Sequence, residues 1–268
     1  MDEGTFVIHP HFQLSFKNLG LNHPRVTIVT VTYNAGPFVE RTLRSVDEQG
    51  LSDIEHLIVD GLSKDQTLSI VAKYAQPWRK VVSEKDSGLY DAMNKSLKLA
   101  SGDYLIFLNA GDVFFDKDSL KFALEHAADA DFVYGETKVI DEAGVLGEWH
   151  KKTPSTSEML DGKCFLHGMV ICHQAMMVKR SIAPEYLYKR WKYVADLDWS
   201  IRTARNARSF VSLEKTTIKF LLGGFSDQRR RESLKERWKV LVEHFGIWST
   251  LWAHVAIVFE FIRKKVSG

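Results

Sequence analysis

The chain has little of what marks several large classes of protein. Its 268 residues include only two cysteines, Cys164 and Cys172, which are too few and too close together for a disulfide framework. No second Cys/His cluster completes a zinc site, so free thiols in a reducing compartment are expected. The formal net charge is only +2, which argues against both a nucleic-acid-binding protein and a specialist for acidic substrates.

Two phosphate-binding motifs are missing as well. No G-x-G-x-x-G fingerprint follows the first predicted strand, where Tyr33-Asn34-Ala35-Gly36 stands, and no G-x-x-x-x-G-K-[ST] occurs in the chain. A dinucleotide-dependent oxidoreductase and a P-loop enzyme are therefore disfavoured. The first residues, MDEGTFVIHPHFQLSF, begin acidic and mix polar with apolar residues, unlike a secretory signal. We therefore expect a cytoplasmic protein.

The composition and the hydrophobic pattern predict an α/β fold. With 45% hydrophobic and 26% charged residues, the chain can bury a large core as one domain or as a domain with an appendage. Apolar strand patterns alternate with helical ones, and connections of this length favour parallel strands joined by right-handed crossovers. The predicted strands cover residues 25–32, 55–59, 80–83 and 104–108, and the predicted helices cover residues 38–49, 68–74 and 90–100.

The second half is less regular and ends in an apolar segment. Residues 131–140 and 145–150 read as two strands joined by a turn, which predicts a hairpin. Residues 245–262 are strongly apolar, are followed by Arg263-Lys264-Lys265, and are barely long enough to span a membrane. An interfacial helix with its tryptophans near the lipid headgroups fits this pattern better than a full span. A helix packed on the domain, or a dimer contact, is the alternative.

Three aspartates follow predicted strands. Asp60 comes after the second strand, Asp86 after the third, and Asp112 ends the stretch GDYLIFLNAGD after the fourth. Each alone is typical of a turn or a helix N-cap. Parallel strands place their carboxyl ends together, however, so these carboxylates are predicted to converge at one edge of the sheet. A carboxylate there can hold a divalent cation that carries a phosphate ester.

Several segments in this order resemble a known family. The segments VTIVTVTYN, LIVDGLSKDQT and SEKDSGLYDAMNKSLKLASGDYLIFLNAGD resemble the nucleotide-sugar domain of family 2 inverting glycosyltransferases. The resemblance covers about residues 25–224 and is closest to the bacterial exopolysaccharide branch of the colanic acid type. It implies the GT-A fold, a Rossmann-like and mostly parallel sheet flanked by helices, with an irregular acceptor-binding part and C-terminal helices.

The resemblance also implies an organisation along the chain. Residues 1–24 form an N-terminal extension, residues 25–125 the nucleotide-sugar-binding half, and residues 126–230 the acceptor-binding and catalytic half of the same domain. Beyond the resemblance, the pattern of residues 231–268 predicts a helical segment that lies at a membrane surface or, alternatively, packs on the domain or on a second copy.

The resemblance implies a donor site at the strand ends. Thr32, Tyr33 and Asn34 line the nucleotide pocket, Asp60 approaches the base or ribose, and Asp86 helps to shape the uridine site. The family's D-x-D-type motif reads here Asn109-Ala110-Gly111-Asp112, in which Asp112 coordinates Mn²⁺ or Mg²⁺ through the donor's diphosphate. Two departures stand out. The frequent Asp-Asp pair is Asp60-Gly61, and one carboxylate replaces two in the D-x-D-type motif.

The acceptor side centres on Asp196. Direct displacement at an anomeric carbon needs a base for the attacking hydroxyl, and Asp196 stands at the position of the family's acidic base. Asp198, two residues on, is the competitor, and capping of the following helix is a compatible structural role for Asp196. His173-Gln174 matches a pair usual in this branch, which implies a site residue near the diphosphate or acceptor. A core histidine is the equal alternative.

A basic segment follows a glycine pair near residue 224. Arg229, Arg230 and Arg231 come after Gly223-Gly224, which is typical of a mobile loop that closes over a diphosphate. A solvated basic start to a helix is the alternative. Arg237-Trp238 resembles the Gln-x-x-Arg-Trp element of processive family members only remotely and is displaced, so no processivity is expected.

These observations together predict a glycosyltransferase. It moves a sugar from a nucleotide-sugar donor, a UDP-sugar by expectation, to a glycan or lipid-linked acceptor with inversion, assisted by a metal, in bacterial surface polysaccharide biosynthesis. Its expected location is cytoplasmic, peripheral at the inner face of the plasma membrane. A catalytically impaired scaffold of the same fold and a nucleotidyltransferase are the alternatives. The second would carry a glycine-rich phosphate loop after the first strand, which this chain lacks.

Overall fold

The computed structural model describes residues 23–141, 143–149, 154–223 and 229–266. The strands it describes are β1 (Val26–Thr32), β2 (Ile54–Asp60), β3 (Arg79–Ser83), β4 (Tyr104–Phe107), β5 (Val113–Phe114), β6 (Phe132–Ile140), β7 (Val145–Glu148), β8 (Met176–Lys179) and β9 (Phe210–Leu221). The α-helices are α1 (Gly36–Asp47), α2 (Thr67–Lys73), α3 (Leu89–Leu99), α4 (Ser119–His126), α5 (Thr156–Leu160), α6 (Ala195–Asn206), α7 (Arg230–Phe245) and α8 (Ile247–Val266).

One sheet joins these strands in the order β3-β2-β1-β4-β8-β6-β9-β5, with β7 paired to β6. The first four strands in that order are parallel, as predicted. Their register aligns Thr32 with Asp60 and Asp60 with Ser83, so the carboxyl ends of β1, β2 and β3 lie side by side. The sheet order therefore confirms the α/β fold and brings three strand ends to one edge.

Burial explains why the first half folds in this way. Every residue of β1 and β2 is buried, as expected for central parallel strands covered by helices on both faces. Helix α1 buries Val39, Leu43 and Val46, which recur at helical spacing along its inner face. Complete burial of each such aliphatic side chain contributes about 1.5–3 kcal/mol. The helices and strands predicted for residues 25–108 are confirmed, with shifts of a few residues at their ends.

The second half has a mixed sheet. Strand β8 runs antiparallel to both β4 and β6, and β9 runs parallel to β6. The predicted hairpin is confirmed by the antiparallel pair β6–β7, although residue 150 lies outside the described residues. The sequence pattern missed β9, whose twelve residues mix lysine, glutamate and threonine with apolar side chains.

The chain ends in two helices that fold back on each other. The ring of Trp238 on α7 contacts the ring of His254 on α8, with centroids 4.9 Å apart. These residues lie eight positions on either side of Gly246, which connects the helices, so α8 turns back toward α7. Thr250 and Ala253 are buried toward the protein. Over the described ranges, α8 and every other helix are too short or too polar to cross a bilayer.

Candidate functional site

The loops that follow β1 and β2 are tied to each other by hydrogen bonds. Asn34 adopts a left-handed backbone with φ 49°, which asparagine tolerates better than most residues. Its backbone N–H donates to Ser63 Oγ at 2.8 Å, and its side-chain Oδ1 accepts from the Lys64 N–H at 2.9 Å. The Gly36 N–H donates to Asp65 Oδ2 at 2.9 Å. Asn34 therefore holds the two loops together and fixes the position of the residue before it.

That preceding residue, Tyr33, is 63% exposed at the edge of the sheet. Its neighbour Thr32 is buried and donates its hydroxyl to Asp60 Oδ1 at 2.8 Å. Of the three residues predicted to line a nucleotide pocket, Tyr33 has an open ring face, while Thr32 and Asn34 position the loop. An exposed aromatic ring held by a rigid loop can stack on a planar base.

Asp60 is buried and fully hydrogen-bonded. Its carboxylate accepts from the Thr32 hydroxyl, from both the backbone N–H and the hydroxyl of Ser63, and from the Ser83 hydroxyl at 2.8 Å. Four donors fill the acceptor capacity of a carboxylate. Asp60 thus joins the ends of β1, β2 and β3, and its predicted contact with a base or ribose stays a prediction.

Asp86 stands against Gly61. A Cβ at residue 61 would lie 2.4 Å from Asp86 Oδ2, so only glycine permits this approach. Burial raises the pKa of Asp86, and the nearby charge of Asp60 raises it further. Asp60 and Asp86 therefore converge as predicted, and the contact explains why glycine follows Asp60. We call Thr32, Asn34, Asp60, Ser63, Ser83 and Asp86 the strand-end cluster.

Asp112 bonds to a different part of the chain. Its carboxyl is buried, accepts from the Leu221 N–H at 2.8 Å, and hydrogen-bonds the side chain of Gln174. Burial raises its pKa to about 8, although the Leu221 amide, the Arg41 charge and Gln174 oppose the shift. The contacts confirm the approach of Asp86 to the end of β2, whereas Asp112 bonds to the end of β9, so its predicted meeting with the other two carboxylates stays a prediction.

The described contacts do not make a complete metal site at Asp112. Its carboxyl bonds to the Leu221 N–H and, without a metal, has a pKa of about 8, so a cation bound there would displace a proton. Within the ranges that the structure describes, no three His, Cys, Asp or Glu side chains lie close enough to form a metal site. The Oδ1 atom of Asn109 is buried and has no hydrogen-bond partner within the described residues.

His173 lies in the core. Its Nε2 atom is 2.8 Å from the Tyr186 hydroxyl, and its ring contacts the rings of Phe107 and Trp199, each 5.2 Å away between centroids. Burial lowers its pKa to about 3, so the imidazole is neutral. The geometry favours the core-histidine alternative over a direct role at the diphosphate.

Asp196 is joined by a hydrogen bond to Tyr90 at the start of α3. Asp196 lies in the first turn of α6, and its Oδ1 accepts from the Tyr90 hydroxyl and the Leu197 N–H, both at 3.0 Å. Both of these hydrogen bonds go to Oδ1 rather than to Oδ2. Tyr90 lies four residues after Asp86. Burial raises the pKa of Asp196, although the Tyr90 hydrogen bond opposes this.

The competitor Asp198 is engaged elsewhere. Its carboxylate is almost fully buried and accepts from Arg202 Nε and from His244 Nε2, each at 2.8 Å. Burial alone would raise its pKa, but the hydrogen bonds from His244 and Arg202 outweigh burial and lower it. Both oxygens are occupied by cationic or polar partners, so Asp198 is a structural residue between α6 and α7.

Two residues of α7 that the sequence analysis did not assign to the site, Glu236 and Arg237, act on the surroundings of Asp196. Glu236 accepts backbone hydrogen bonds from Lys192, Tyr193 and Val194, just before α6. Arg237 donates to the His167 carbonyl at 3.0 Å, and its charge lowers the pKa of Asp196. We call Tyr90, Asp196, Glu236 and Arg237 the helix cluster.

Gly168 makes room for the guanidinium of Arg237. It has φ +104°, and a Cβ there would overlap that guanidinium. The motif containing Arg237 and Trp238 gave the only signal in the sequence for this part of the helix cluster.

Arg229 is exposed immediately before α7. The predicted closing loop lies mostly in residues 224–228, outside the described residues, so its closure stays a prediction. Arg230 and Arg231 are exposed in the first turn of α7, as expected for a solvated basic helix start.

Comparison with known proteins places the chain in a family. The model for glycosyl transferase family 2 matches residues 27–187. A "PGL/p-HBAD biosynthesis glycosyltransferase" of Mycobacterium bovis is 31% identical over 194 residues, which cover 68% of this chain and 71% of the relative. An uncharacterised glycosyltransferase of Methanocaldococcus jannaschii is 26% identical, over 75% of this chain and 71% of its own.

Solved structures share the fold. S. aureus TarS 1–349 in complex with UDP-GlcNAc superimposes with a TM-score of 0.60 and 18% identity, over 82% of this chain and 66% of the TarS 1–349 chain, slightly less than two thirds of that chain's length. The mannosyltransferase PcManGT from Pyrobaculum calidifontis, in complex with GDP-Man and Mn²⁺, gives a TM-score of 0.56 and 20% identity, over 84% of this chain and 64% of its own. The family model covers more than half of the chain, and the chain is a glycosyltransferase that belongs to glycosyl transferase family 2.

Proposed function

We propose that this protein transfers a sugar from a uridine diphosphate sugar to a glycan or lipid-linked acceptor, with inversion at the anomeric carbon. One observation carries the proposal: Tyr90, four residues after Asp86, hydrogen-bonds Asp196. The start of α3 therefore joins the predicted uridine site to the carboxylate of Asp196. The nucleotide sugars bound by TarS and PcManGT support the class of donor.

The reaction then follows from the residues present. The ring of Tyr33 stacks on the base, and Asp86, held against Gly61, accepts a hydrogen bond from the nucleoside. The acceptor hydroxyl attacks the anomeric carbon from the face opposite the diphosphate, and Asp196 Oδ2 takes its proton as the bond to the leaving oxygen breaks. Burial raises the pKa of Asp196 toward the working pH, which strengthens it as a base.

The leaving diphosphate gains negative charge in the transition state, and nearby positive charges stabilise it. Arg229 and Arg237 are the cations that we assign to this role, because charged groups fixed near a developing negative charge stabilise the transition state. We also propose a divalent cation, Mn²⁺ or Mg²⁺, on the ground that PcManGT was solved with Mn²⁺. The described contacts do not make a complete metal site at Asp112, so no step is assigned to the cation. Comparing UDP release in Mn²⁺, in Mg²⁺ and in EDTA tests it.

We propose that the acceptor belongs to bacterial surface polysaccharide biosynthesis, as the resemblance to the exopolysaccharide branch implies, and that the protein works at the inner face of the plasma membrane. Helix α8 supports this location. Trp248, Trp252 and Phe259 are at least 70% exposed on its outer side, and Arg263-Lys264-Lys265 stand at its end. Exposed tryptophans with nearby basic residues are typical of helices that lie on anionic membranes.

Vesicle sedimentation tests this location. We expect the protein to sediment with phosphatidylglycerol-containing vesicles, and the double variant Trp248→Ser/Trp252→Ser to bind them about tenfold or more weakly because it buries less apolar area. Leu146→Ser, which removes an exposed apolar side chain on β7, is the control and should bind normally. Unchanged vesicle binding by the double variant would contradict the proposal, and a loss of self-association instead would indicate a dimer contact.

The activity itself is tested with a panel of sugar nucleotides. Purified protein with Mn²⁺ should release the nucleoside diphosphate from at least one donor with water as acceptor, and UDP should raise its melting temperature. Neither hydrolysis nor binding across the panel would contradict the enzyme. Binding of UDP without any turnover, with acceptor extracts added, would indicate the scaffold alternative.

A further inference from the structure

The start of helix α6 lacks a cap of its own. The residue before the helix is Val194, whose side chain accepts no hydrogen bond. The N–H groups at a helix start need acceptors, and serine, threonine, aspartate or asparagine usually supplies one from this position. Asp196, two residues further on, uses its Oδ1 for Tyr90 and for the Leu197 N–H. The residue before α6 therefore contributes no side-chain acceptor to the start of the helix.

Glu236 on α7 instead bonds the three residues that lead into α6. Its Oε1 accepts from the Lys192 N–H at 2.8 Å, and its Oε2 accepts from the N–H groups of Tyr193 and, at 3.0 Å, Val194. Three consecutive backbone donors thus converge on one carboxylate more than forty residues away in sequence. Hydrogen bonds to an ionised acceptor are about twice as strong as neutral ones. One side chain therefore fixes the whole entry to α6.

The same segment is also tied to α3. The carbonyl of Tyr193 accepts from the Tyr90 hydroxyl at 3.2 Å, and the same hydroxyl donates to Asp196. Glu236, the Tyr193 backbone, Tyr90 and Asp196 therefore form one connected set of hydrogen bonds between α7, α6 and α3. A shift of residues 192–194 would move Asp196 Oδ2 relative to the strand-end cluster.

We propose that Glu236 is a positioning residue for the base: it holds residues 192–194 so that Asp196 Oδ2 faces the acceptor hydroxyl. The inference rests on the proposed role of Asp196. Arg237, the next residue, is held by the His167 carbonyl and brings its charge toward the same carboxylate. One turn of α7 thus supplies both the fixed backbone and the neighbouring cation.

The test uses Glu236→Ala and Glu236→Gln, with Glu243→Ala as the matched control. Glu243 lies on the same helix and pairs with Arg190, so its replacement removes the same charge and an ion pair without touching residues 192–194. Catalytic groups displaced by about 1 Å lose roughly 100-fold in rate. We expect Glu236→Ala to lower kcat for UDP release by about 10- to 100-fold with an unchanged Kd for UDP. Glu236→Gln should retain an intermediate kcat, and Glu243→Ala should stay within about twofold.

A double-variant cycle separates positioning from a general structural role. In the Asp196→Asn background, Glu236→Ala should cost less than about threefold, because the group that it positions is already gone. The same fold-loss in both backgrounds, or a parallel loss of UDP affinity, would overturn the proposal. If Glu236→Ala fails to fold, Glu236→Gln decides. An intermediate kcat at unchanged Kd supports positioning, and a wild-type kcat overturns it.

The two assignments fail separately. Full turnover by Asp196→Asn would reject the base and, with it, the positioning role. Loss of turnover in Asp196→Asn with normal turnover in Glu236→Ala would reject only the positioning role.

Discussion

The strand-end cluster and the helix cluster are built from different parts of the chain. The strand-end cluster draws its residues from positions 32–86, where each loop follows a buried strand and bonds to the next loop. The helix cluster joins Tyr90, Asp196 and Glu236, which lie on three helices far apart in sequence. The first cluster is dictated by local pattern and sheet register, whereas the second depends on how α7 packs on α6. We expect the first to govern donor binding and the second to govern turnover.

Asp196→Asn should have the largest effect and should affect turnover alone. The amide keeps the hydrogen bond from Tyr90 but accepts no proton, and general bases contribute about 10²- to 10⁴-fold in rate. We expect kcat for transfer or hydrolysis to fall by that amount. Asp198→Asn is the comparison variant, and its kcat should fall less because its carboxylate is occupied by Arg202 and His244. The reverse order of effects would show that the base is misassigned.

Gly61→Ala should break the strand-end cluster. The added Cβ would lie 2.4 Å from Asp86 Oδ2, and overpacking of this kind costs about 1–3 kcal/mol. We expect the Kd for UDP, measured by calorimetry, to rise by about 5- to 100-fold as Asp86 is displaced. Gly147→Ala is the control, since a Cβ at residue 147 meets nothing within 4 Å. Normal UDP affinity in Gly61→Ala would show that Asp86 takes no part in donor binding.

Tyr90→Phe should change the pH dependence of turnover. Asp196 must be ionised to act, so the rate rises with pH through its pKa. Burial raises the pKa of Asp196, and the Tyr90 hydrogen bond and the Arg237 charge lower it. The charge of Asp196 in turn raises the pKa of the buried Tyr186. Loss of the hydrogen bond should raise the pKa of Asp196 and shift the acidic limb of the kcat profile to higher pH. An unshifted limb would contradict the contact between Tyr90 and the base.

Asp112→Asn should have the smallest effect. Because its pKa is about 8, Asp112 is largely protonated at neutral pH, and an amide is a close neutral match that still accepts from the Leu221 N–H. We expect kcat and the response to Mn²⁺ to stay within about fivefold of wild type at pH 7. Loss of the Mn²⁺ response in Asp112→Asn would restore this residue as the metal ligand.

The contrast between the clusters also explains what the sequence could predict. The α/β fold and the meeting of Asp60 with Asp86 follow from buried strands and parallel register, which leave a clear pattern of apolar runs and turns. Asp112 follows a strand in the same way, yet a turn of four residues rotates its carboxyl into the protein. A position at a strand end therefore predicts where the backbone leaves the sheet. It does not predict whether the side chain faces solvent or is buried in the protein.

The missed residues have a different cause. Glu236 sits in the run Lys235-Glu236-Arg237, and charges on a helix are usually solvated, so nothing local marks it as an acceptor for α6. Strand β9 was missed because its polar residues obscure the alternation typical of strands. His173 matched a family pair but is placed by the aromatic rings around it. Each of these depends on contacts between distant segments, which no local pattern reports.

The division of the site into two clusters is tested most directly by measuring UDP binding and turnover on the same variant. Asp196→Asn should bind UDP with the wild-type Kd in calorimetry while its kcat for UDP release falls at least about 100-fold in the same preparation. That result would show that Asp196 is needed for turnover but takes no part in binding UDP. A Kd weakened as much as turnover, or turnover at the wild-type rate, would contradict the division of the site into a strand-end cluster that binds and a helix cluster that reacts.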